Sequence, residues 1–362
     1  VYLDYACAPD SAGNAFAIDG LEPAIRGKVA ATGGWDRYTL VKLGTVKLAA
    51  GTGKITFRPD GPVKNALLDL RTLYLVPVGA RPVTPGSTGR PQSPADLAKL
   101  ILDDATPKDR REAAVKDALP NAAEVVRAMA ADLPANDAKE EYRRIPWIWR
   151  VAIAAGKAND TKVVAGLIDV SLTKSGEKLR DWQAVVLGGG VINGISLEGK
   201  WPGKRVAELI RDNPELQKRW AETLKQSHAM ADDEKVPTGT RYDALRIVAL
   251  DDWKLAEPRL AKYLPKTAHA ELQQGAVSGL VDVGDAGATA LLVKALPDLT
   301  AGNRQFAVAG LVRTPARCAA LLDAIETGAA KPEWVAKDVR AALVNHADAT
   351  IRTRAAKLLG GK

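Results

Sequence analysis

Two rhythms of apolar and polar positions divide this sequence. Over residues 1 to 78, short alternations such as "VYLDYACA", "AFAIDG", "YTLVKLGTVKLAAG", "GKITFRP" and "LLDLRTLYLVPV" are each closed by Gly, Pro, Asn or Asp. A period of two turns one face of a strand toward a core and the other toward water, so this region predicts short β-strands packed as a sandwich. In "DRYTLVKLGTVKLAAG", Leu40, Val46 and Leu48 share one parity and Lys42 breaks it, which predicts a bend or bulge inside that run. The following "RPVTPGSTGRPQSP" has no apolar period and is rich in proline and glycine, so residues 79 to 94 are expected to form a linker.

From residue 95 to 362 the period becomes that of a helix. Ser93 is a suitable N-cap, Pro94 suits the first helical position, and Leu97, Leu100 and Ile101 form an apolar stripe. Four later segments share a small-apolar core: "DALRIVAL" from Asp243, "GAVSGLVD" from Gly275, "FAVAGLVR" from Phe306 and "VRAALVNH" from Val339. Recurrence at roughly 30 to 35 residues predicts stacked helical hairpins, each too small to bury its own apolar face. Ala276, Gly279, Ala307 and Gly310 would let neighbouring helices approach closely. In "EEYRRIPWIWRVAIAAGK", Pro146 has no N–H to donate and is expected in the first turn of its helix. Trp147 and Trp149 then lie about 200° apart around the axis. They predict a wedge buried on both sides, with Arg143 and Arg144 pairing to Glu140 and Glu141 or facing solvent.

Length and charge refine this picture. A chain of 362 residues implies two domains or a repeat array, and no apolar run approaches the roughly 20 residues of a membrane span. The formal charge of +8 comes from 51 basic and 43 acidic residues that are interspersed, as on a solvated mixed surface. Cys7 and Cys318 are far apart, which rules out a disulfide framework and a haem-attachment motif within this sequence. The start at "VYLDYACAP", without Met, is expected to be that of a mature or excised segment.

Candidate chemistry is sparse. "VVLGGGVINGIS" places Gly188 and Gly190 like a dinucleotide loop, but Asn193 stands where the third glycine belongs, so a helix-ending glycine loop is expected. "GTGKI" at Gly51 to Ile55 lacks the residues of a phosphate loop and reads as a hairpin turn. His228, His269 and His346 each stand alone, and Asp348 reads as an N-cap. Acidic pairs such as Asp103 with Asp104, Asp232 with Asp233 and Asp251 with Asp252 fit helix junctions. Arg143, Arg144, Arg150, Arg340, Arg352 and Arg354 could line a phosphate groove, but they lack the interleaved aromatics of a nucleic-acid binder. Trp35 and Tyr38, beside the glycine turn of "TGGWDRY", are the candidate carbohydrate-binding residues. No catalytic constellation is legible, so the chain is expected to be no enzyme and to hold neither cofactor nor metal.

Residues 1 to 78, through "TGGWDRY" and the glycine-rich hairpin, resemble the later strands of carbohydrate-binding modules of the galactose-binding-like, jelly-roll type. That resemblance implies a sugar cleft at Trp35; Leu68 stands where such modules often carry an asparagine, and the modules' first strands are expected to be missing. Residues 95 to 362, through "EEYRRIPWIWRVAIAAGKANDTK", "LRDWQAVVLGGGVINGISLEGKWP" and "LVNHADATIRTRAAKLLG", resemble the HEAT-repeat region of large secreted planctomycete-type proteins. In those proteins a cytochrome c-type haem domain often follows and a propeller-type dehydrogenase domain often precedes. The resemblance implies a secreted or periplasmic scaffold: a partial β-sandwich, a linker, and a HEAT-like α-solenoid offering its surface to a protein partner. A fragment of a larger redox enzyme and a HEAT-like nucleic-acid binder are the alternatives.

Overall fold

The computed structural model describes residues 1–48, 53–79, 82, 93–134 and 137–360. Most of the expected linker, and Gly51 and Thr52 of the expected "GTGKI" turn, lie outside the described residues. The chain divides into two compact units, Val1–Pro91 and Gln92–Lys362.

In the first unit the alternating segments form β1 (Tyr2–Cys7), β2 (Ala15–Asp19), β3 (Ile25–Lys28), β4 (Gly34–Lys42), β5 (Thr56–Pro59) and β6 (Asp69–Tyr74). They make two antiparallel three-stranded sheets, in the orders β4-β1-β6 and β3-β2-β5. The central strands β1 and β2 are buried almost throughout, and Leu3, Tyr5, Phe16, Ile18 and Ile25 join one core that draws on both sheets. Asp4, on β1, is 1% exposed, and Arg71 on β6 meets its carboxylate through both Nε and Nη2 at 2.7 Å. That pairing offsets the cost of burying a charge between strands. An irregularity does fall in that run: the β1–β4 register shifts where Tyr5 and Cys7 face Thr39 and Gly34, so Asp36–Tyr38 lie in the shift, and β4 ends at Lys42. Eight strands would be needed for a jelly roll, and the described residues of this unit form six.

The second unit is helical. It opens with α1 (Pro94–Leu102), α2 (Lys108–Asp117), α3 (Ala122–Ala130), α4 (Ala138–Ala158) and α5 (Thr161–Ser171). Then α6 (Asp181–Ala184) runs through a π-helical segment, Val185–Ile192, into α7 (Asn193–Leu197). The rest comprises α8 (Pro202–Ile210), α9 (Pro214–Asp232), α10 (Thr238–Val248), α11 (Trp253–Ala261), α12 (Ala270–Asp282), α13 (Ala286–Ala295), α14 (Ala301–Gly310), α15 (Pro315–Glu326), α16 (Lys337–Val344) and α17 (Ala349–Leu359). The starts obey capping chemistry. Ser93 and Asp96 form a reciprocal capping box on α1, and Asp348 accepts from the Thr350 and Ile351 amides on α17.

Helices pack on their next-but-one neighbours: α1 on α3, α3 on α5, α10 on α12, α12 on α14, and in a second row α11 on α13, α13 on α15 and α15 on α17. The four recurrent core segments fall on α10, α12, α14 and α16. Small residues set the spacing there. A Cβ on Gly279 would stand 2.7 Å from the Ala249 Cβ, and one on Gly310 would collide with Val281.

Two local expectations are corrected. Pro146 lies inside α4, not in its first turn, because Asp137 caps the helix further upstream through the Lys139 and Glu140 amides. The missing N–H leaves the Tyr142 carbonyl without its helical donor, and Tyr142 is exposed, so solvent can serve that carbonyl. The triplet Gly188–Gly190 ends no helix. It is buried in the middle of the π-helical segment without positive φ angles. A Cβ on Gly188 would strike the Asp243 backbone and one on Gly190 would strike Ala152. The glycines are there because α10 and α4 both press against this backbone.

Candidate functional site

The described residues of the helical unit line an open groove of about 650 Å³ where α4, α6, the π-helical segment, α10 and α12 meet. One wall belongs to α4. Tyr142, Ile145, Pro146 and Trp149 follow at spacings of three and four, so they share one helix face. Trp149 donates its indole N–H to the Gly189 carbonyl at 2.9 Å, which fixes the ring against the groove. Tyr142 stands at the mouth, 86% exposed.

The expected two-sided wedge is therefore divided. Trp147 packs against the core with the Arg111 guanidinium 4.0 Å from its ring centroid, whereas Trp149 faces the groove. Just upstream, Arg143 and Arg144 both bind Glu140 and hold its carboxyl far below the usual range, at about 2.

Carboxylates come from four separate elements: Glu141 from α4, Asp181 from α6, Asp243 from α10 and Glu271 from α12. Asp181 is half-buried, and burial raises its pKa above the ordinary value although the Thr240 hydroxyl donates to it at 3.4 Å. Asp243 is the unusual member. It is 7% exposed, lines the groove, and has no hydrogen bond or ion pair from another side chain among the described residues. Burial pushes its carboxyl well above the ordinary value; Arg246 counters that and Glu271 adds to it.

The nearby cation is already engaged. The Arg246 guanidinium lies 2.6 Å from Asp282, 2.9 Å from Asn193 Oδ1 and 3.2 Å from the Tyr242 hydroxyl. The Arg246 and Asp282 side chains are 3% and 1% exposed, so this pair is fully withdrawn from water. Asp243 thus presents a buried carboxyl group to the groove, with Arg246 close enough to act on its charge but hydrogen-bonded through its terminal nitrogens to other residues.

The residues singled out from sequence lie elsewhere. Trp35, on β4, is 41% exposed. Tyr38 is tied down: its hydroxyl donates to Asp69 at 2.5 Å, and Arg71 lies 4.3 Å from its ring centroid. The histidines serve structure. His228 meets Asp251 at 2.9 Å, while His269 Nδ1 and His346 Nδ1 accept from the backbone amides of Glu271 and Asp348. Asp252 caps α11, and Asp103 accepts from Ala105 and Thr106.

The basic clusters also have partners. Arg340 reaches the Leu359 carbonyl, Arg352 the His346 carbonyl, Arg354 both Asp323 and Glu326, and Arg150 sits 3.6 Å from Glu112. Among the described residues no group of three or more His, Cys, Asp or Glu side chains could hold a metal ion, and no helix is long and apolar enough to cross a membrane.

The groove was not found from sequence. Two signals pointed to it: the apolar stripe 142, 145, 146 and 149 on an exposed face, and an aspartate placed in the buried core segment "DALRIVAL". The carboxylates themselves are dozens of residues apart, and no spacing rule joins them.

No protein-family model matches this sequence, and no curated protein matches it. Among solved structures, human deoxyhypusine hydroxylase in complex with glycerol is matched at 16% identity over 75% of this chain and 96% of that chain, with a TM-score of 0.25. The expectation that this chain is no enzyme runs against the name of that neighbour, which is an enzyme's. The physical reason the expectation had little footing is the groove: carboxyl groups brought together only by folding are invisible to a search for sequence motifs. A TM-score of 0.25 brings no activity, substrate or metal to this chain.

Proposed function

We propose that this chain is a HEAT-like helical-repeat protein that binds a segment of a partner protein in the groove at Asp243. One observation carries the reading: a carboxyl group 7% exposed lines a 650 Å³ groove without a side-chain partner. An unpaired buried carboxyl destabilises the empty protein, and a ligand that satisfies it recovers that loss. The aromatic and proline wall on α4 supplies the apolar contact that a bound segment needs. Next-but-one helix packing supports the repeat assignment, in which a stack offers an extended surface to a partner.

The test is to pan a random-peptide display library against the intact chain and to counter-screen the selected peptides on Trp149→Ala. Selected peptides should lose at least tenfold in affinity on the variant. Peptides that bind both proteins equally, with the variant's thermal unfolding unchanged, would place binding outside this groove and sink the reading.

A second reading concerns the β unit as a partial galactose-binding-like module in a secreted or periplasmic protein. It is favoured by the 41% exposure of Trp35 at its glycine turn. Titration with soluble polysaccharides should give binding that Trp35→Ala removes. No binding by the intact chain would end that reading.

A further inference from the structure

We infer that the groove is a receptor for an alkylammonium group, a lysine side chain of the partner, with Asp243 as its counter-ion and the α4 aromatic stripe as the bed for its methylene stem. This rests on the reading of the groove as a binding site and adds the chemistry of what enters it.

The charge of the ligand follows from the company Asp243 keeps. Asp181, Glu141 and Glu271 join it around the groove, and the cation closest in sequence, Arg246, is held by Asp282, Asn193 and Tyr242. An anion would meet repulsion from several sides, whereas a cation gains attraction that a neutral ligand does not. A cation is attracted by the carboxylates. Burial raises the Asp243 carboxyl, and a cation placed beside it would favour the charged form and lower that pKa again.

The shape of the cationic group follows from the glycine triplet. A Cβ on Gly189 would stand 2.6 Å from Asp243 Oδ1 and 3.1 Å from Oδ2, so both oxygens lie against the π-helical backbone. The backbone therefore crowds the Oδ1 side of the carboxylate, and an ammonium needs only one oxygen and can turn its remaining donors elsewhere. Nearby, the Trp149 ring is held by Gly189 and continues along α4 into Pro146, Ile145 and Tyr142. This apolar strip leads outward from the carboxylate and suits an aliphatic stem ending in a charge.

The groove also exceeds the space of one aminobutyl chain, which favours a lysine carried in a peptide over a free small amine.

The experiment follows the Trp149 indole N–H resonance, identified by its loss in Trp149→Phe, in the intact chain labelled with 15N-tryptophan. The probes are n-butylamine, n-butylguanidine, n-butanol, spermidine and a Gly-Ser-Lys-Ser-Gly peptide. Butylamine and the peptide should shift the resonance saturably, the peptide at lower concentration, and Asp243→Asn should weaken both at least tenfold. Asparagine keeps the shape of the side chain, and the comparison among probes on the unmutated chain stands whether or not that variant folds.

Butanol acting as well as butylamine would leave a binding groove but overturn the charge assignment. Butylguanidine acting at lower concentration than butylamine would overturn the ammonium, and spermidine outcompeting the peptide would overturn the lysine of a partner. No shift with any probe would overturn the inference altogether, while the peptide panning judges the groove independently.

Discussion

At the scale of single residues, Asp243 is where folding and the proposed binding would conflict. Its carboxyl is raised in the folded chain by burial, so the folded state holds a proton that the unfolded state releases at lower pH. Linkage fixes the sign. The contribution is favourable below the ordinary aspartate pKa and is lost as pH rises toward the folded-state value. Asp243→Asn, which cannot ionise, should stabilise the ligand-free protein by roughly 1 to 3 kcal/mol at pH 8, with the gain shrinking as pH falls toward 4. Chemical denaturation of both proteins from pH 4 to 8 measures it. A gain that is independent of pH would mean that Asp243 is not the titrating group.

Other residues were legible one at a time. Ser93 and Asp348 cap the helices assigned to them, because capping depends on neighbours two or three positions away. The groove depends on partners such as Asp181 and Asp243, which local spacing cannot associate.

At the scale of elements, α4 and the π-helical segment bear the strain. Pro146 interrupts the hydrogen bonding of α4 at an exposed position, so Pro146→Ala should raise thermal stability by roughly 1 to 3 kcal/mol, read by calorimetry. Gly189→Ala tests the opposite case. Alanine suits a helix better by about 1 kcal/mol. Its methyl, however, would press a buried carboxylate at 2.6 Å, and overpacking of this kind costs roughly 1 to 3 kcal/mol. Net destabilisation by urea titration is expected; a more stable variant would mean that α10 moves aside freely.

The triplet was visible in the sequence but assigned the wrong cause. Glycine serves left-handed turns and close backbone approach alike, and only the neighbouring helix distinguishes them. The change from strand-like to helix-like period, by contrast, was evident because each rhythm is written along the chain itself.

At the scale of the whole molecule, the positive charge takes on a different meaning. Many arginines hold the carbonyls at helix ends: Arg111 binds Ile101, Arg219 binds Leu172 and Thr173, Arg241 binds Ala231, and Arg304 binds Leu296 and Leu299. Arg317 alone reaches the carbonyls of Leu280, Val281, Val283 and Gly310. Guanidinium groups placed this way complement the negative ends of helices and leave less charge free for a phosphate backbone. Anisotropy titrations with labelled duplex DNA should therefore show weak binding with a shallow salt dependence, and a steep dependence would restore the nucleic-acid alternative.

The wide π-helical turn also acts as an index mark. Each residue added to or removed from a helix rotates everything beyond it by about 100° around the axis. Shortening Val185–Ile192 by one residue would leave the helix continuous yet carry Asn193 away from Arg246, and Gly189 would no longer face Asp243. Side-chain identity alone therefore does not define this groove: a relative could keep every lining residue and still lose it through a single deletion.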